Sequence, residues 1–295
     1  MPKVSVITIN FNQPTVTLDL IRSLENCSFT DFEIIVVDNG STNKNPDILK
    51  EEFPDILLEK SKRNLGFAGG NNLGIKKAQG EYLLFINNDV EVERDFFEPL
   101  IQELDSDRSV GIVSPKIYFF DSKKIIQYAG ASQINPITSR GTFIGNMKVD
   151  DGGYNKTITT HFAHGAGMMV RKSAIENAGL MPELYFLYYE EMDWCNRIKE
   201  KGFLIKCVPK SVIYHKVSMS VGKSNPMKTY FLTRNRVIYI RRNCKGVMMP
   251  LSLAFFYLVA LPKNLIALFL KREFGLMSAY WRGSLWNVFH LNLKS

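Results

Sequence analysis

The stretch Tyr82–Val90 constrains the fold more than any other part of this sequence. It begins with five apolar or aromatic residues, Tyr82–Ile86, and leads directly into Asn87, Asn88 and Asp89. Such a run is typical of a strand buried on both faces of a parallel sheet. Ligands bind outside the carboxyl ends of strands in open α/β sheets, so a carboxylate there could hold a cation and, through it, phosphates. The alternative is a strand that ends in an ordinary Asn/Asp turn.

Strand-like and helix-like segments alternate through the first 90 residues. Apolar and β-branched runs predict strands over 4–9, 32–37, 57–60 and 82–86. Apolar residues at helical spacing predict helices over 15–27, 46–53 and from about 68–72 to 78. This order predicts an α/β fold with a Rossmann-like, mainly parallel sheet and right-handed crossovers.

The second half of the chain predicts further elements of both kinds. Helices are predicted over 95–105, 171–178 and 190–202, and strands over 110–120, 164–170, 203–208 and 213–216. The segment 121–160 is rich in Gly, Ser, Thr, Asn and Asp and is long for a plain connection, so it predicts a hairpin or a binding loop.

The charge of the chain is distributed unevenly. Residues 1–196 carry 19 basic and 27 acidic side chains, whereas residues 197–295 carry 18 basic and 2 acidic ones. A segment this basic favours a polyanionic partner. Because it is also apolar and aromatic, it favours an anionic membrane surface and argues against nucleic acid.

The most hydrophobic stretch, 247–270, is interrupted by Pro250, Ser252 and Pro262. Its uninterrupted apolar part falls short of the roughly 20 residues that a spanning helix needs. We therefore predict two interfacial helices lying on a membrane. The alternatives are a helical pair packed on the protein's own core or a homo-oligomer interface.

The remaining composition predicts a cytoplasmic protein of two parts. The four cysteines are widely spaced and form no CxxC pair, which fits a reducing compartment. The N-terminus enters a strand directly and shows no signal peptide. We expect a catalytic or binding domain over 1–245 and a basic, hydrophobic helical segment over 246–295.

Polar clusters follow several predicted strands: Thr8–Asn12, Asp38–Ser41, Asn87–Asp89 and the residues after His164. They should converge on one sheet edge. Asp38 could accept from a pyrimidine base or a ribose hydroxyl, although such a segment is usually only a turn. Arg63–Gly74 could cradle a phosphate or sugar with backbone N–H groups at a helix start. It is neither a GxGxxG nor a Walker sequence.

Three carboxylates, Glu190, Glu191 and Asp193, lie near a predicted helix start. Neighbouring carboxylates near aromatic residues tend towards a raised pKa, which suits a general base. The simpler interpretation is favourable placement of negative charge at a helix N-terminus. His215 could bind a cation as a neutral imidazole, or could be structural.

Taken together, these pieces resemble the family 2 glycosyltransferases, which have the GT-A fold, and within them the bacterial rhamnosyltransferase-like group. The resemblance covers roughly residues 3–245, and its motifs occur in the family's order. The matching segments are Val4–Asn12, Glu33–Ser41, Arg63–Asn72, Leu83–Asp89, Gly165–Met169, Phe186–Cys195 and His215. Each motif is weak alone, but their common order is specific.

The resemblance implies a donor site at the strand tips. Thr8, Asn10 and Asp38 would hold the nucleoside, and Asn64 with Gly66 would form the diphosphate wall. The tip of the fourth strand stands where the family has its Asp-x-Asp signature, with Asn in place of the first acid. Asn88 and Asp89 would contact the donor.

The resemblance also implies a metal and an acceptor site. Asp89 would hold Mn²⁺ or Mg²⁺, with His215 as a second ligand. Glu191 stands where the family usually has Asp and would be the catalytic base, with Glu190 as the alternative. The residues that would meet the acceptor are Gly165, Ala166, Asp193 and Trp194.

The implied activity is an inverting, metal-dependent glycosyl transfer at the inner face of the cell membrane. The donor would be a UDP- or dTDP-linked sugar such as rhamnose or another hexose, and the acceptor a saccharide or a polyprenyl-diphosphate-linked saccharide for cell-surface polysaccharide. A nucleotidyltransferase would need a Gly-rich basic loop after the first strand, which Asn10–Pro14 does not provide. A catalytically silent nucleotide-sugar-binding or scaffold protein is the remaining alternative.

Overall fold

The computed structural model describes residues 1–216 and 225–290. Its strands are β1 Val4–Asn10, β2 Phe32–Asp38, β3 Leu57–Lys60, β4 Tyr82–Ile86, β5 Val90–Val92, β6 Val110–Phe119, β7 Ser122–Tyr128, β8 Ile158–Thr159, β9 Gly167–Arg171 and β10 Leu204–His215. Its α-helices are α1 Pro14–Glu25, α2 Ile48–Glu52, α3 Gly66–Lys77, α4 Phe97–Ser106, α5 Lys172–Ala178, α6 Glu190–Glu200, α7 Pro226–Asn243, α8 Met248–Ala254, α9 Leu261–Leu270 and α10 Phe274–Phe289. A 3₁₀ turn spans Glu183–Tyr185, and a π-helical turn, Phe255–Ala260, joins α8 to α9.

The strands form one mixed sheet in the order β3-β2-β1-β4-β9-β6-β10-β5, with β7 paired to β6 and β8 to β10. The first four strands in this order are parallel. This confirms the parallel βα repeat predicted for the first 90 residues. β9 is antiparallel to both β4 and β6, and β10 is parallel to β6, so the second half makes the sheet mixed.

The sheet register brings the polar segments to one edge. Asn10 pairs with Asp38, so the tips of β1 and β2 end level. β4 lies beside β1, and β9 runs antiparallel to β4, so its first residue Gly167 pairs with Ile86 at the same edge. The cluster near His164 therefore reaches this edge from the start of a strand, and not from a strand end as predicted.

The core lies on both sides of the central strands. β4 is buried along its whole length, as its apolar run predicts. Helix α6 packs on this strand through Trp194, whose ring meets Phe85 edge-to-face at 5.4 Å between centroids. The helix that carries the candidate base is thereby fixed against the strand that carries the candidate metal ligand.

Two strands predicted near the end of the sheet are one continuous strand. β10 spans Leu204–His215, with an irregular register between Val208 and Val212. Pro209 lies in this irregular part, where its missing N–H removes no ladder hydrogen bond. The structure also adds β5 and α7, which the sequence patterns did not predict.

The C-terminal segment differs from the predicted pair of interfacial helices. α8, the π turn and α9 form one helical run, Met248–Leu270, of 23 residues, which by length and composition alone could cross a membrane. The prolines do not interrupt it: Pro250 lies in the first turn, which needs no N–H, and Pro262 follows the π turn. Most of this run is exposed, since only 11% of its most apolar window is buried.

Helix α10 packs on α7. A Cβ at Gly283 would lie 2.6 Å from the carbonyl oxygen of Tyr230, so only glycine allows this close approach. Asn287 also donates to the carbonyl of Arg234. Residues 291–295 of the predicted C-terminal segment lie outside the described residues.

Candidate active site

The tips of β1 and β2 are tied together by buried polar side chains. The Asn10 amide donates to Asp38 Oδ1 at 2.7 Å, and the Thr17 hydroxyl donates to Asn10 Oδ1 at 3.1 Å. Asn88 donates in turn to Thr17 at 3.0 Å, which links β4 to this network. Asp38 also accepts from the Ser41 hydroxyl and N–H. Asn10 therefore orients Asp38, whose Oδ2 has capacity for one further donor.

Two other residues predicted for the donor site, Thr8 and Gly66, are buried inside the fold. Thr8 is fully buried, and its hydroxyl has no hydrogen-bond partner among the described residues. Gly66 has a φ of +74°, and a Cβ on it would lie 2.1 Å from the Phe186 carbonyl oxygen. Gly66 is therefore required for the contact between the start of α3 and the segment before α6, which its assignment to the diphosphate wall did not anticipate.

The loop before α3 is fixed by Asn39, which the sequence patterns did not single out. Its amide donates to Asn64 Oδ1 at 3.1 Å and to the Gly66 carbonyl at 3.0 Å, and its oxygen accepts from Leu65 N–H. Asn64 also accepts from Gly66 N–H at 2.8 Å. Asn64 is thus preorganised at the same edge as Asp38.

Asp89 and His215 lie side by side. Asp89 Oδ1 is 3.2 Å from His215 Nε2, and both side chains are largely buried. The two residues meet because His215 ends β10 and pairs with Val90, the neighbour of Asp89. His215 Nδ1 lies 2.9 Å from Gln127 Oε1. Since a carbonyl oxygen only accepts, Nδ1 donates in this contact, and Nε2 is the ring atom that faces Asp89.

This arrangement fits a divalent cation. Two ligands of an octahedral cation, each about 2.1 Å away, are about 3.0 Å apart, close to the observed separation. A cation between Asp89 and His215 would satisfy the lone pairs that face each other, and Gln127 would hold the ring in the correct tautomer. The described residues contain no group of three His, Cys, Asp or Glu side chains that could hold a metal. Phosphate oxygens of a substrate would have to complete the coordination, as is usual for Mg²⁺ sites.

Glu190 and Glu191 open α6 and differ in their surroundings. Glu190 is only 3% exposed, and its Oε2 has no hydrogen-bond partner among the described residues. Burial and the charge of Glu191 raise its pKa well above the usual range. Glu191 keeps partial exposure, and burial raises its pKa to about 7. Glu191 can therefore exchange a proton near neutral pH and is reachable, which favours it over Glu190 as the base.

The backbone before these carboxylates is strained. Phe186, Tyr188 and Tyr189 all have positive φ, between 67° and 79°. Such conformations are unfavourable for non-glycine residues and persist where surrounding contacts enforce them. Here Asn235 of α7 enforces them, because its amide lies within 3.0 Å of the carbonyl oxygens of Tyr185, Leu187 and Tyr188.

Arg234 of α7 adds a contact to the same segment, donating to the Leu184 carbonyl at 2.7 Å. Arg234 and Asn235 thus fix the segment that leads into Glu190 and Glu191, and the sequence patterns missed them. The sequence offers only a weak signal for them, because two consecutive polar residues in a helix are typical of a solvent-exposed face. Only their burial in the folded chain shows that they are not on such a face.

Asp193 and Trp194, predicted to meet the acceptor, are instead buried in contacts within the fold. Trp194 is fully buried and donates from its indole to the Gly179 carbonyl. Asp193 is 1% exposed and accepts from Arg242 at 2.8 Å, Tyr185 at 2.8 Å and Asn243 at 3.0 Å. Burial by itself would raise the pKa of Asp193, but the hydrogen bonds and positive charge of Arg242, together with the hydrogen bonds from Tyr185 and Asn243, lower it. This carboxylate joins α6 to α7.

Replacing Asp193 with alanine is expected to destabilise the protein by about 3 kcal/mol, because the partly buried Arg242 would lose its counter-charge and the hydrogen bonds of Asp193 would be lost. The wild type should also lose this stabilisation as the pH falls through the lowered pKa of Asp193, where the carboxylate is protonated. Urea unfolding of both proteins measures the difference. Asp151→Ala, at an exposed aspartate that accepts from the N–H of Gly153 two residues later, is the control. Equal stabilities of the two variants would contradict the role of Asp193.

Gly165 and Ala166, the other predicted acceptor residues, lie beside the fourth strand tip. Ala166 is buried, its carbonyl accepts from Asn87 N–H at 3.1 Å, and its N–H donates to His164 Nδ1 at 3.0 Å. Ala166 therefore fixes the tip and does not present a side chain to a ligand. Gly165 is partly exposed, and a Cβ on it would meet only Phe67, at 3.5 Å. Of the pair, only Gly165 borders open space.

Comparison with known proteins identifies the family. The sequence model of the family described as glycosyl transferase family 2 matches residues 5–179. The chain belongs to this family. It is 25% identical over 244 residues to the low-salt glycan biosynthesis hexosyltransferase Agl10 of Haloferax volcanii, covering 79% of this chain and 74% of that protein. It is also 25% identical over 245 residues to the dTDP-rhamnosyl transferase RfbF of Shigella flexneri, covering 77% and 76%.

A solved structure supports the fold of this glycosyltransferase. Crystalline GalNAc-T7 with UDP, GalNAc and Mn²⁺ superposes with a TM-score of 0.62 at 15% identity, over 88% of this chain and 57% of that one. This confirms the predicted GT-A fold. The family resemblance drawn from the motifs and the predicted enzyme class, a glycosyltransferase, are also confirmed.

Proposed function

We propose that this glycosyltransferase transfers a sugar from a nucleoside-diphosphate-sugar to a saccharide acceptor with inversion and with a divalent metal. The observation that carries the proposal is the Asp89–His215 pair, 3.2 Å apart, at the sheet edge that also carries Asp38 and Asn64. A cation ligand pair and a nucleoside-binding carboxylate on one edge suit a diphosphate-linked donor. Mn²⁺ in the superposing GalNAc-T7 crystal supports the metal.

The donor is proposed to be a UDP- or dTDP-linked hexose or deoxyhexose, such as rhamnose. UDP in the GalNAc-T7 crystal and the dTDP-rhamnosyl activity in the name of RfbF support these two bases. Asp38 would accept a hydrogen bond from the base or ribose through its remaining Oδ2 capacity. Thymine differs from uracil by one methyl group, so both bases present the same donor to Asp38.

The chemistry is proposed to be a single displacement. Glu191 removes the proton of the acceptor hydroxyl, and that oxygen forms a bond to the anomeric carbon while the bond from this carbon to the diphosphate breaks. Attack from the side opposite the leaving group inverts the configuration, and the proton stays on Glu191 until it is released to solvent. A bound Mn²⁺ or Mg²⁺ would neutralise charge that develops on the departing diphosphate. Asn235 and Arg234 hold the segment that aims Glu191 at the acceptor.

The cellular role is proposed to be cell-surface polysaccharide synthesis at the cytoplasmic face of the membrane. The names of Agl10 and RfbF support a glycan product. The exposed apolar run Met248–Leu270 and the basic character of residues 197–295 support a membrane-associated enzyme and a lipid-linked acceptor. The same run could serve a homo-oligomer.

The function is tested by incubating the purified chain with UDP- and dTDP-sugars and following release of the nucleoside diphosphate. Release is expected with Mn²⁺ and should fall at least about tenfold with EDTA, because the leaving group would lose its counter-charge. NMR of the transferred sugar reports inversion. Tight nucleotide-sugar binding without turnover, for every donor and with metal present, would instead indicate a catalytically silent binding protein.

A further inference from the structure

A cavity lies apart from the strand tips. It has a volume of about 290 Å³ and lies between α7, α10 and the π turn, with walls that include Arg140, Tyr189, Arg236, Phe256 and Tyr280. We call it the arginine cavity. Neither Asp89 nor His215 lines it, but Tyr189 directly precedes the two candidate bases. The cavity therefore adjoins the catalytic segment on another side.

The charge of Arg236 is almost completely buried in this cavity. The residue is 3% exposed, its Nε donates to the Thr138 carbonyl at 2.8 Å, and its guanidinium lies over the ring of Phe256. In the described part of the chain neither Arg236 nor Arg140 forms an ion pair, and residues 217–224 and 291–295 contain no Asp or Glu. Burying a charge without a counter-charge is costly, so an anionic ligand would stabilise this arrangement.

The charged and polar side chains of the cavity lie close enough to influence one another electrostatically. Burial and the positive charge of Arg140 lower the pKa of Arg236. Burial raises the pKa of Tyr280, and the positive charges of Arg236 and Arg140 partly oppose this rise. Two guanidinium groups and the hydroxyls of Tyr189 and Tyr280 thus surround a space of the size and charge that a phosphate or diphosphate needs.

The cavity is also continuous with an exposed apolar surface. Phe256, which lies under Arg236, belongs to the helical run Met248–Leu270. Beyond it the same run exposes large apolar side chains, namely Leu258, Val259, Ile266, Phe269 and Leu270. A ligand that carries both an anionic group and a hydrocarbon chain matches this combination, whereas a free nucleotide matches only the charged part.

We propose that the arginine cavity binds the diphosphate of a lipid-linked acceptor, with the hydrocarbon chain along the Met248–Leu270 run. The inference rests on the proposed function, since it names the acceptor class. It also gives a reason for the position of Tyr189, which lines the cavity and immediately precedes Glu190 and Glu191. A sugar attached to a diphosphate held there would extend past Tyr189 towards Glu191.

The test measures binding of farnesyl diphosphate to the full chain, with EDTA present so that the metal pair does not contribute. Arg140→Gln is expected to weaken binding about tenfold or more, because one charge-assisted contact is lost. Arg140 is exposed, so the variant should fold. Lys148→Gln, which removes the same charge at an exposed position outside the cavity, is the matched control and should bind within about twofold of the wild type.

Two further measurements define the ligand. Farnesol, which has no phosphate, should bind at least about tenfold more weakly than farnesyl diphosphate. Phosphatidylglycerol vesicles should not displace the probe more than phosphatidylcholine vesicles do. Equal binding by Arg140→Gln and Lys148→Gln, or equal binding of farnesol, would overturn the proposal. Displacement by phosphatidylglycerol alone would assign the cavity to membrane headgroups and would also overturn it.

Failure of this inference and failure of the proposed function give different results. If wild-type protein releases nucleoside diphosphate from a nucleotide-sugar and yet shows no Arg140-dependent binding of farnesyl diphosphate, the result would support the proposed glycosyl transfer and contradict only the acceptor site. Binding of the probe through Arg140 without turnover of any donor would support the anion site and contradict the proposed reaction.

Discussion

Glu191→Gln is expected to lower the kcat of sugar transfer by about 10²–10⁴-fold, the usual contribution of a general base. Glutamine keeps the shape and can still accept from the acceptor hydroxyl, but it cannot take its proton. The KM for the donor should change little, because the variant leaves the proposed donor contacts, Asp38 and Asn64, unchanged. The measurement is steady-state transfer of a labelled sugar by wild type and variant at saturating Mn²⁺.

The pH profile gives an independent signature of the same group. Burial raises the pKa of Glu191 to about 7, and a base acts only when deprotonated. The kcat/KM of the wild type should therefore be constant above this pKa and fall about tenfold per pH unit below it. The residual activity of Glu191→Gln should lack this acid limb.

The neighbouring carboxylate supplies the matched control. Glu190 is only 3% exposed, so it is poorly placed to meet the acceptor, and burial together with the charge of Glu191 raises its pKa. Glu190→Gln should retain most of the activity and the acid limb. If Glu190→Gln removed the limb while Glu191→Gln kept it, the two roles would be reversed.

The part of the site that the sequence predicts well is the part set by sheet topology. β4 is apolar along its length, and its order after three βα units fixes which edge Asp89 occupies. The position of His215 beside Asp89 was expected only from the family resemblance. Its physical basis is the antiparallel pairing of β10 with β5, a three-residue strand too short for its pattern to stand out.

The sequence does not predict which charged side chains are buried in structural contacts and which remain available to a ligand. The arginines of α7 look like a solvated, anion-attracting face. Arg234 is in fact buried on a backbone carbonyl 50 positions earlier, and Arg236 on one 98 positions earlier. Asp193, predicted to meet the acceptor, joins two helices through Arg242. Contacts this distant in sequence leave no periodic signal, so only the folded chain separates a structural charge from a functional one.

Asp89→Asn is expected to weaken Mn²⁺-dependent binding of UDP or dTDP by at least about 100-fold. It removes the only negative charge of the strand tip, and a neutral amide is a poor ligand for a hard cation. Calorimetric titration of the nucleotide in the presence and absence of Mn²⁺ measures the effect. Gln127→Met, which removes the acceptor that holds the His215 tautomer, should give an intermediate loss of about tenfold.

Asn87→Ala tests whether this tip is a metal site or only a turn. Its backbone N–H, which donates to the Ala166 carbonyl, remains in the variant, so the local fold should be kept. The side chain carries no charge, so Mn²⁺-dependent binding should stay within about threefold of the wild type. The order Asp89→Asn, Gln127→Met, Asn87→Ala is specific to a cation held between Asp89 and His215. If the three variants lost binding equally, the residues would only shape the turn, and the metal would have to be held elsewhere.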